Sequence, residues 1–171
     1  MLLRPGCVYL PRDRDSQYPG GVKTFSQEGE SLRVRDSVVH TMENLAMVNC
    51  KHPQKFKYGV DAGRRPHHQQ EFYWILGIVE GPGVGPIGYR KQVPSFPEKH
   101  YAHGCFAEVY NSDIYPYFEM ETLGPLVNLS PGARFTLEER HALFDVTKWP
   151  EDEREIIQLA VAPLSYPSSP L

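Results

Sequence analysis

The chain has 171 residues, 40% hydrophobic and 23% charged, which excludes disordered and collagen-like polymers and suits one domain with a full core. A net charge of −3 leaves no basic field to hold a phosphate backbone and argues against a nucleic-acid partner. Aromatic residues at 12% and 16 prolines favour strands and tight loops over long helices.

In chain order, residues 1–30 are dense in Pro, Gly and charge, and read as an irregular arm carrying at most a short strand. Leu32, Val34 and Val38 alternate with Arg33, Arg35 and Ser37, which predicts a half-buried strand whose register puts His40 on the apolar side. Further strands are expected over 45–48 and 56–60. Residues 62–70 form a polar loop with Arg64, Arg65, His67 and His68. The near-continuous apolar run 71–79 reads as a strand covered on both faces. Gly81-Pro82-Gly83 and Gly85-Pro86 force a turn before a strand over 87–93, and a Pro-containing loop spans 95–103.

Residues 105–110 and 117–122 read as a hairpin joined by Asn111-Ser112-Asp113-Ile114-Tyr115-Pro116. Ser130-Pro131-Gly132 makes a turn into a long last strand, 134–144, expected well inside a sheet. Pro150 with Glu151, Asp152 and Glu153 starts a helix that ends near Val161, because acids meet the positive end of the helix dipole. Seven to nine strands and one late helix predict an all-β fold, an antiparallel β-sandwich with a short C-terminal helix. The division is an arm (1–30), a β-sandwich domain (31–146), and a helix with a Pro/Ser tail (147–171).

Cys7, Cys50 and Cys105 are odd in number and contain no C-x-x-C pair, so no zinc knuckle or redox motif is expected and a reduced compartment fits. Residues 1–6 break before an apolar leader forms, and the longest apolar stretch, 74–79, is far too short to span a bilayer. A soluble, cytoplasmic protein without membrane contact is expected.

Chemistry concentrates in the C-terminal third. Glu119 and Glu121 lie two apart and share one strand face. Pairing Tyr110 with Tyr117 would set Glu108 opposite Glu119. Like charges directly opposed destabilise a sheet unless a cation or ligand hydroxyls compensate, so the cluster reads as a site, although an exposed sheet face also tolerates acids. His100 and His103 precede the Glu108 strand, where either could serve as general acid, with solvent-exposed loop histidines as the plain alternative. Arg90 and Lys91 are candidates to bind sugar hydroxyls or neutralise the glutamates, and otherwise are ordinary strand charges. His67-His68 lacks further metal ligands at suitable spacing, His40 reads as a core histidine, and Tyr73 and Trp74 read mainly as core. Gly81 to Gly85 lacks the strand-to-helix context of a phosphate loop.

The stretches Gly104-Cys105-Phe106-Ala107-Glu108-Val109-Tyr110, Phe118-Glu119-Met120-Glu121-Thr122-Leu123-Gly124-Pro125-Leu126, Leu129-Ser130-Pro131-Gly132 and Glu138-Glu139-Arg140-His141-Ala142-Leu143-Phe144 come in a recognisable order. With Lys55-Phe56-Lys57-Tyr58-Gly59-Val60-Asp61, they resemble the C-terminal half of a bacterial family related to the aldose 1-epimerases (galactose mutarotases). The likeness runs from about Lys55 to Phe144 and is weak over 32–50. It implies part of a β-supersandwich whose concave sheet binds carbohydrate, with no cofactor. In mutarotases a glutamate in a Leu-Glu-Thr-Gln-like context is the general base, and Met120-Glu121-Thr122 matches it, so the role carries to Glu121.

Set against the resemblance, the family's histidine motif on earlier strands has no counterpart here, and most of the first half of the supersandwich is expected to be absent. We assign the acid to His103 and substrate contacts to Glu108, Glu119, Arg90 and Lys91. The expected function is carbohydrate binding with proton transfer at an anomeric centre. A non-catalytic binding module, and an inactive half that self-associates as a homodimer, stay open beside it.

Overall fold

The structure, a computed structural model, describes residues 6–25, 37–51, 53–61, 72–81, 83, 85–96 and 98–163. Among these, ten strands precede one C-terminal helix: β1 Gly6–Pro11, β2 Val22–Thr24, β3 Val39–Thr41, β4 Leu45–Cys50, β5 Phe56–Val60, β6 Phe72–Gly81, β7 Gly85–Pro94, β8 Ala107–Asn111, β9 Phe118–Thr122, β10 Arg140–Asp145 and α1 Glu153–Val161. They form a six-stranded sheet, β10-β7-β6-β1-β4-β3, and a four-stranded sheet, β2-β5-β8-β9, antiparallel at every pairing. The fold is all-β and sandwich-like with a short C-terminal helix, as the patterning predicts.

Alternation along the strands explains the layers. Val8, Leu10, Val48, Tyr73 and Ile75 of the large sheet meet Phe56, Tyr58, Val60, Ala107 and Val109 of the small one. Tyr73 stacks on Phe106 with ring centroids 4.2 Å apart. The intervening residues Tyr9, Leu45, Trp74, Leu76 and Ile78 face the other way and pack on Ile156 and Ala160 of α1. β6 is therefore covered on both faces, which is why its sequence is an unbroken apolar run. Burial of each large aliphatic or aromatic side chain here is worth roughly 1.5–3 kcal/mol. The order is helix, large sheet, small sheet, with the outer face of the small sheet left for other uses.

Asp152 caps α1, its side chain accepting from Glu155 N at 2.8 Å. At the other end Arg90, 3% exposed, donates to the carbonyls of Leu159, Ala160 and Ala162 at 2.9–3.2 Å. Those carbonyls lack intrahelical donors, so the Arg90 Nη1 group, which reaches all three, supplies donors there and its charge complements the helix dipole.

Four expectations are corrected. The arm 1–30, expected to be irregular with at most one short strand, holds β2 and also β1 (6–11), which lies between β4 and β6. The residues of β1 are apolar on both sides (Val8 and Leu10 inward, Tyr9 toward α1), so it lacks the period-2 signature of a half-buried strand. The last strand covers Arg140–Asp145 and lies at a sheet edge, because 134–139 are mostly exposed and carry no ladder. His40 is exposed: Ser37 and Val38 are helical, which breaks the alternation counted from Leu32. Residues 32–36 of that expected strand lie outside the described residues, and the strands number ten among the described residues, above the seven to nine expected. No helix among the described residues is long and apolar enough to cross a membrane.

Candidate acid–base site on the small sheet

The β8–β9 hairpin sets the site. Ser112 Oγ accepts from the backbone N–H of Ile114 and of Tyr115, and Ser112 N donates to Tyr117 O at 3.2 Å. The serine tightens the loop, so pairing continues to Asn111↔Phe118 and beyond the expected end. The register moves by two residues: Glu108 lies opposite Glu121, and Tyr110 opposite Glu119, correcting the Glu108–Glu119 pairing. A shift of two preserves the face, so Glu108, Glu119 and Glu121 still share one side of the sheet. Phe118 and Met120 point the other way, toward the large sheet.

Glu108 is 1% exposed, an unusual environment for a carboxylate. Its Oε1 lies 2.7 Å from His103 Nδ1, and its Oε2 lies 2.7 Å from Lys57 Nζ. The Lys57 contact is an ion pair that misses hydrogen-bond direction, so Oε2 has charge compensation without an aligned donor. Lys57 also reaches Glu121, at 3.3 Å to Oε1 and 3.2 Å to Oε2. One ammonium thus bridges two carboxylates that stand opposite each other and would otherwise repel. Burial pulls the Lys57 pKa down, but its hydrogen bonds to Glu121 and the attraction of the Glu108 and Glu121 carboxylates outweigh it and leave it above the ordinary lysine value.

His103 is placed by its backbone. It has φ 61° and ψ 0°, a left-handed conformation that costs a non-glycine residue on the order of 1–3 kcal/mol. Lys23 Nζ donates to its carbonyl at 2.6 Å and sits 5.1 Å from the centroid of Phe25, whose ring meets the His103 imidazole edge-on at 5.4 Å. The close cover requires Gly59: a Cβ there would stand 2.5 Å from Cys105 Sγ and 2.8 Å from the Phe25 ring. The His103 side chain stays 57% exposed, so with Nδ1 on Glu108 the Nε2 atom is open to a ligand. Burial pushes the neighbouring Cys105 thiol up to about 12, which makes it inert as a nucleophile at neutral pH.

Of the residues singled out from sequence, Glu108, Glu121 and His103 converge, and Glu119 borders them as an exposed neighbour on the same face. Arg90 does not: it caps α1 behind the large sheet. Lys91 does not reach the glutamates either, donating instead to Met120 O at 3.0 Å from the opposite side of β9. The His100 ring is exposed, and only its carbonyl is engaged, by Leu126 N at 2.7 Å. Tyr73 and Trp74 are core, as read. His67 and His68 lie outside the described residues.

Sequence reasoning missed Lys57. Its signal was parity: it alternates with Phe56 and Tyr58 and so faces outward. Its meeting with Glu108 depends on the β5–β8 pairing, in which Gly59 opposes Glu108. No three His, Cys, Asp or Glu side chains among the described residues converge as a metal cluster. The arrangement suits proton transfer: a buried carboxylate orients an imidazole, and a second, partly exposed carboxylate stands alongside. No protein-family model, curated protein or solved structure matches the chain.

Proposed function

We propose that the outer face of the small sheet binds a sugar and transfers protons at its anomeric centre, in the manner of an aldose 1-epimerase. The observation that carries this reading is Glu108, buried and fixed between His103 and Lys57, with Glu121 directly opposite. Orientation of an imidazole through Nδ1 by a buried carboxylate leaves Nε2 as an aimed proton donor. The sequence resemblance of Met120-Glu121-Thr122 supports the base role for Glu121.

The chemistry follows from these positions. Glu121 takes the proton of the anomeric hydroxyl while His103 Nε2 gives one to the ring oxygen. The C1–ring oxygen bond breaks, leaving an open-chain aldehyde. Rotation about C1–C2 and the reverse proton transfers close the ring on the other face. The sum is isomerisation without a net change in protons. Lys57 offsets the paired negative charge, and carboxylates accept stronger hydrogen bonds from sugar hydroxyls than neutral acceptors do.

Glu121→Gln keeps the shape and removes the base. Interconversion of α- and β-D-galactose and of α- and β-D-glucose, followed by polarimetry, should slow by roughly 10²–10⁴-fold over the wild type while binding persists. Binding without turnover in either form would instead favour a carbohydrate-binding module on the same face.

A further inference from the structure

Lys91, removed from the sugar face by the geometry, points to a second site. The small sheet ends at β9, which packs on β6, while the large sheet continues beyond β6 to β7 and β10. The step leaves an open groove of about 460 Å³ between β9 and the inner face of β6, β7 and β10. Its walls are mainly apolar, from Val79, Ile87, Phe118 and Met120, with Leu143 of β10 74% exposed on the far side. Met120 seats against Gly77, where a Cβ would stand 2.5 Å from the sulfur, so the glycine sets the depth of the floor.

One rim is fixed by a chain of polar contacts. Tyr89 Oη lies 2.6 Å from His141 Nδ1, His141 Nε2 lies 3.4 Å from Glu139 Oε2, and Thr122 donates to the other oxygen of Glu139. The Tyr89 wall is therefore formed before any ligand arrives, which lowers the ordering cost of binding.

Lys91 also lines this groove and gives Met120 O one of its N–H groups. Among the described residues no carboxylate lies within ion-pair distance of it. Glu139 is held by Thr122 and His141. Glu119 also borders the groove, but strand alternation sets its side chain on the face of Glu121, and it makes no ion pair with Lys91. An ammonium without a counter-charge, beside an exposed apolar trough, is complementary to a molecule with an apolar body and one negative end. We propose that the groove binds an apolar monocarboxylate, its hydrocarbon part along Phe118, Met120, Val79 and Ile87 and its carboxylate on Lys91.

The test uses the full chain labelled with ¹³C at the methionine methyl groups and titrated with octanoate, octan-1-ol and octylammonium. The sequence holds four methionines, and Met120→Leu assigns the groove signal. Met42 and Met47 pack toward α1 and serve as internal references for fold and for non-specific effects. Octanoate should shift the Met120 methyl saturably and leave Met42 and Met47 in place. Lys91→Met, or Lys91→Gln if the first does not fold, should weaken octanoate about tenfold or more, the worth of one charge-assisted hydrogen bond. Octan-1-ol and octylammonium should bind the wild type more weakly than octanoate. An unmoved Met120 signal, equal shifts at all methionines, equal affinity for the alcohol or the amine, or undiminished binding by the Lys91 variant would each overturn the assignment.

Discussion

At the residue scale the site depends on how Glu108 is kept charged out of water. An ionised carboxylate at 1% exposure is costly unless its oxygens are compensated, and His103 and Lys57 do so from two directions. Lys57→Met keeps the stem and removes the charge, so it should lower the unfolding free energy by about 1–3 kcal/mol, measured by urea denaturation. Unchanged stability would show that the ion pair is dispensable. The pH dependence has a definite sign. The folded-state pKa of Lys57 lies above the ordinary 10.5, so its contribution is fully present below that value. It fades as pH rises through the folded-state value. The wild-type advantage over Lys57→Met should hold through neutral and mildly alkaline pH and shrink only beyond 10.5.

The carboxylate face was legible in the sequence because it needs only period-2 parity, which survives a register error of two. The direct partner of Glu108 was not, because the added pairing at Ser112–Tyr117 depends on a serine side chain in the loop. Lys57 and Lys23 reach the site through strand neighbours distant in sequence, and no local pattern announces those.

At the element scale β9 is one strand with two uses. Its odd-numbered acids face the proposed sugar site, and Phe118 and Met120 form one wall of the groove. Arg90 shows how a strand can serve a helix. Its guanidinium holds the three carbonyls at the end of α1. Arg90→Met should therefore loosen α1 and cost roughly 2–3 kcal/mol, since charge-assisted hydrogen bonds are lost and buried acceptors are left open. Amide hydrogen exchange should rise first over 156–162. Exchange unchanged along α1 would contradict the capping role. The start of α1 was readable from Pro150 and the following acids, whereas the two faces of β7 were not. That strand alternates Ile87, Tyr89, Lys91 and Val93 with Gly88, Arg90 and Gln92, but parity alone does not tell that the Arg90 side meets α1 and the Lys91 side an open groove.

For the whole molecule, an all-β sandwich with a late helix follows from aromatic and β-branched runs, turn residues and the hairpin, all local signals. The order of strands is a different kind of fact. β1 enters the middle of the large sheet, where it pairs with β4 and β6, and an arm dense in Pro and Gly gives no hint of that destination. The three layers separate the functions: α1 and Arg90 close one side of the large sheet, and His103, Glu108, Lys57 and Glu121 occupy the far side of the small sheet. The central claim is that this far face binds sugar. Amide and side-chain chemical-shift mapping of the ¹⁵N-labelled protein, titrated with D-galactose and D-glucose, tests it directly. The account predicts saturable shifts centred on His103, Glu108, Lys57 and Glu121, lost in Glu108→Ala while the signals of α1 stay in place. Shifts confined to another surface, or none with either sugar, would contradict it.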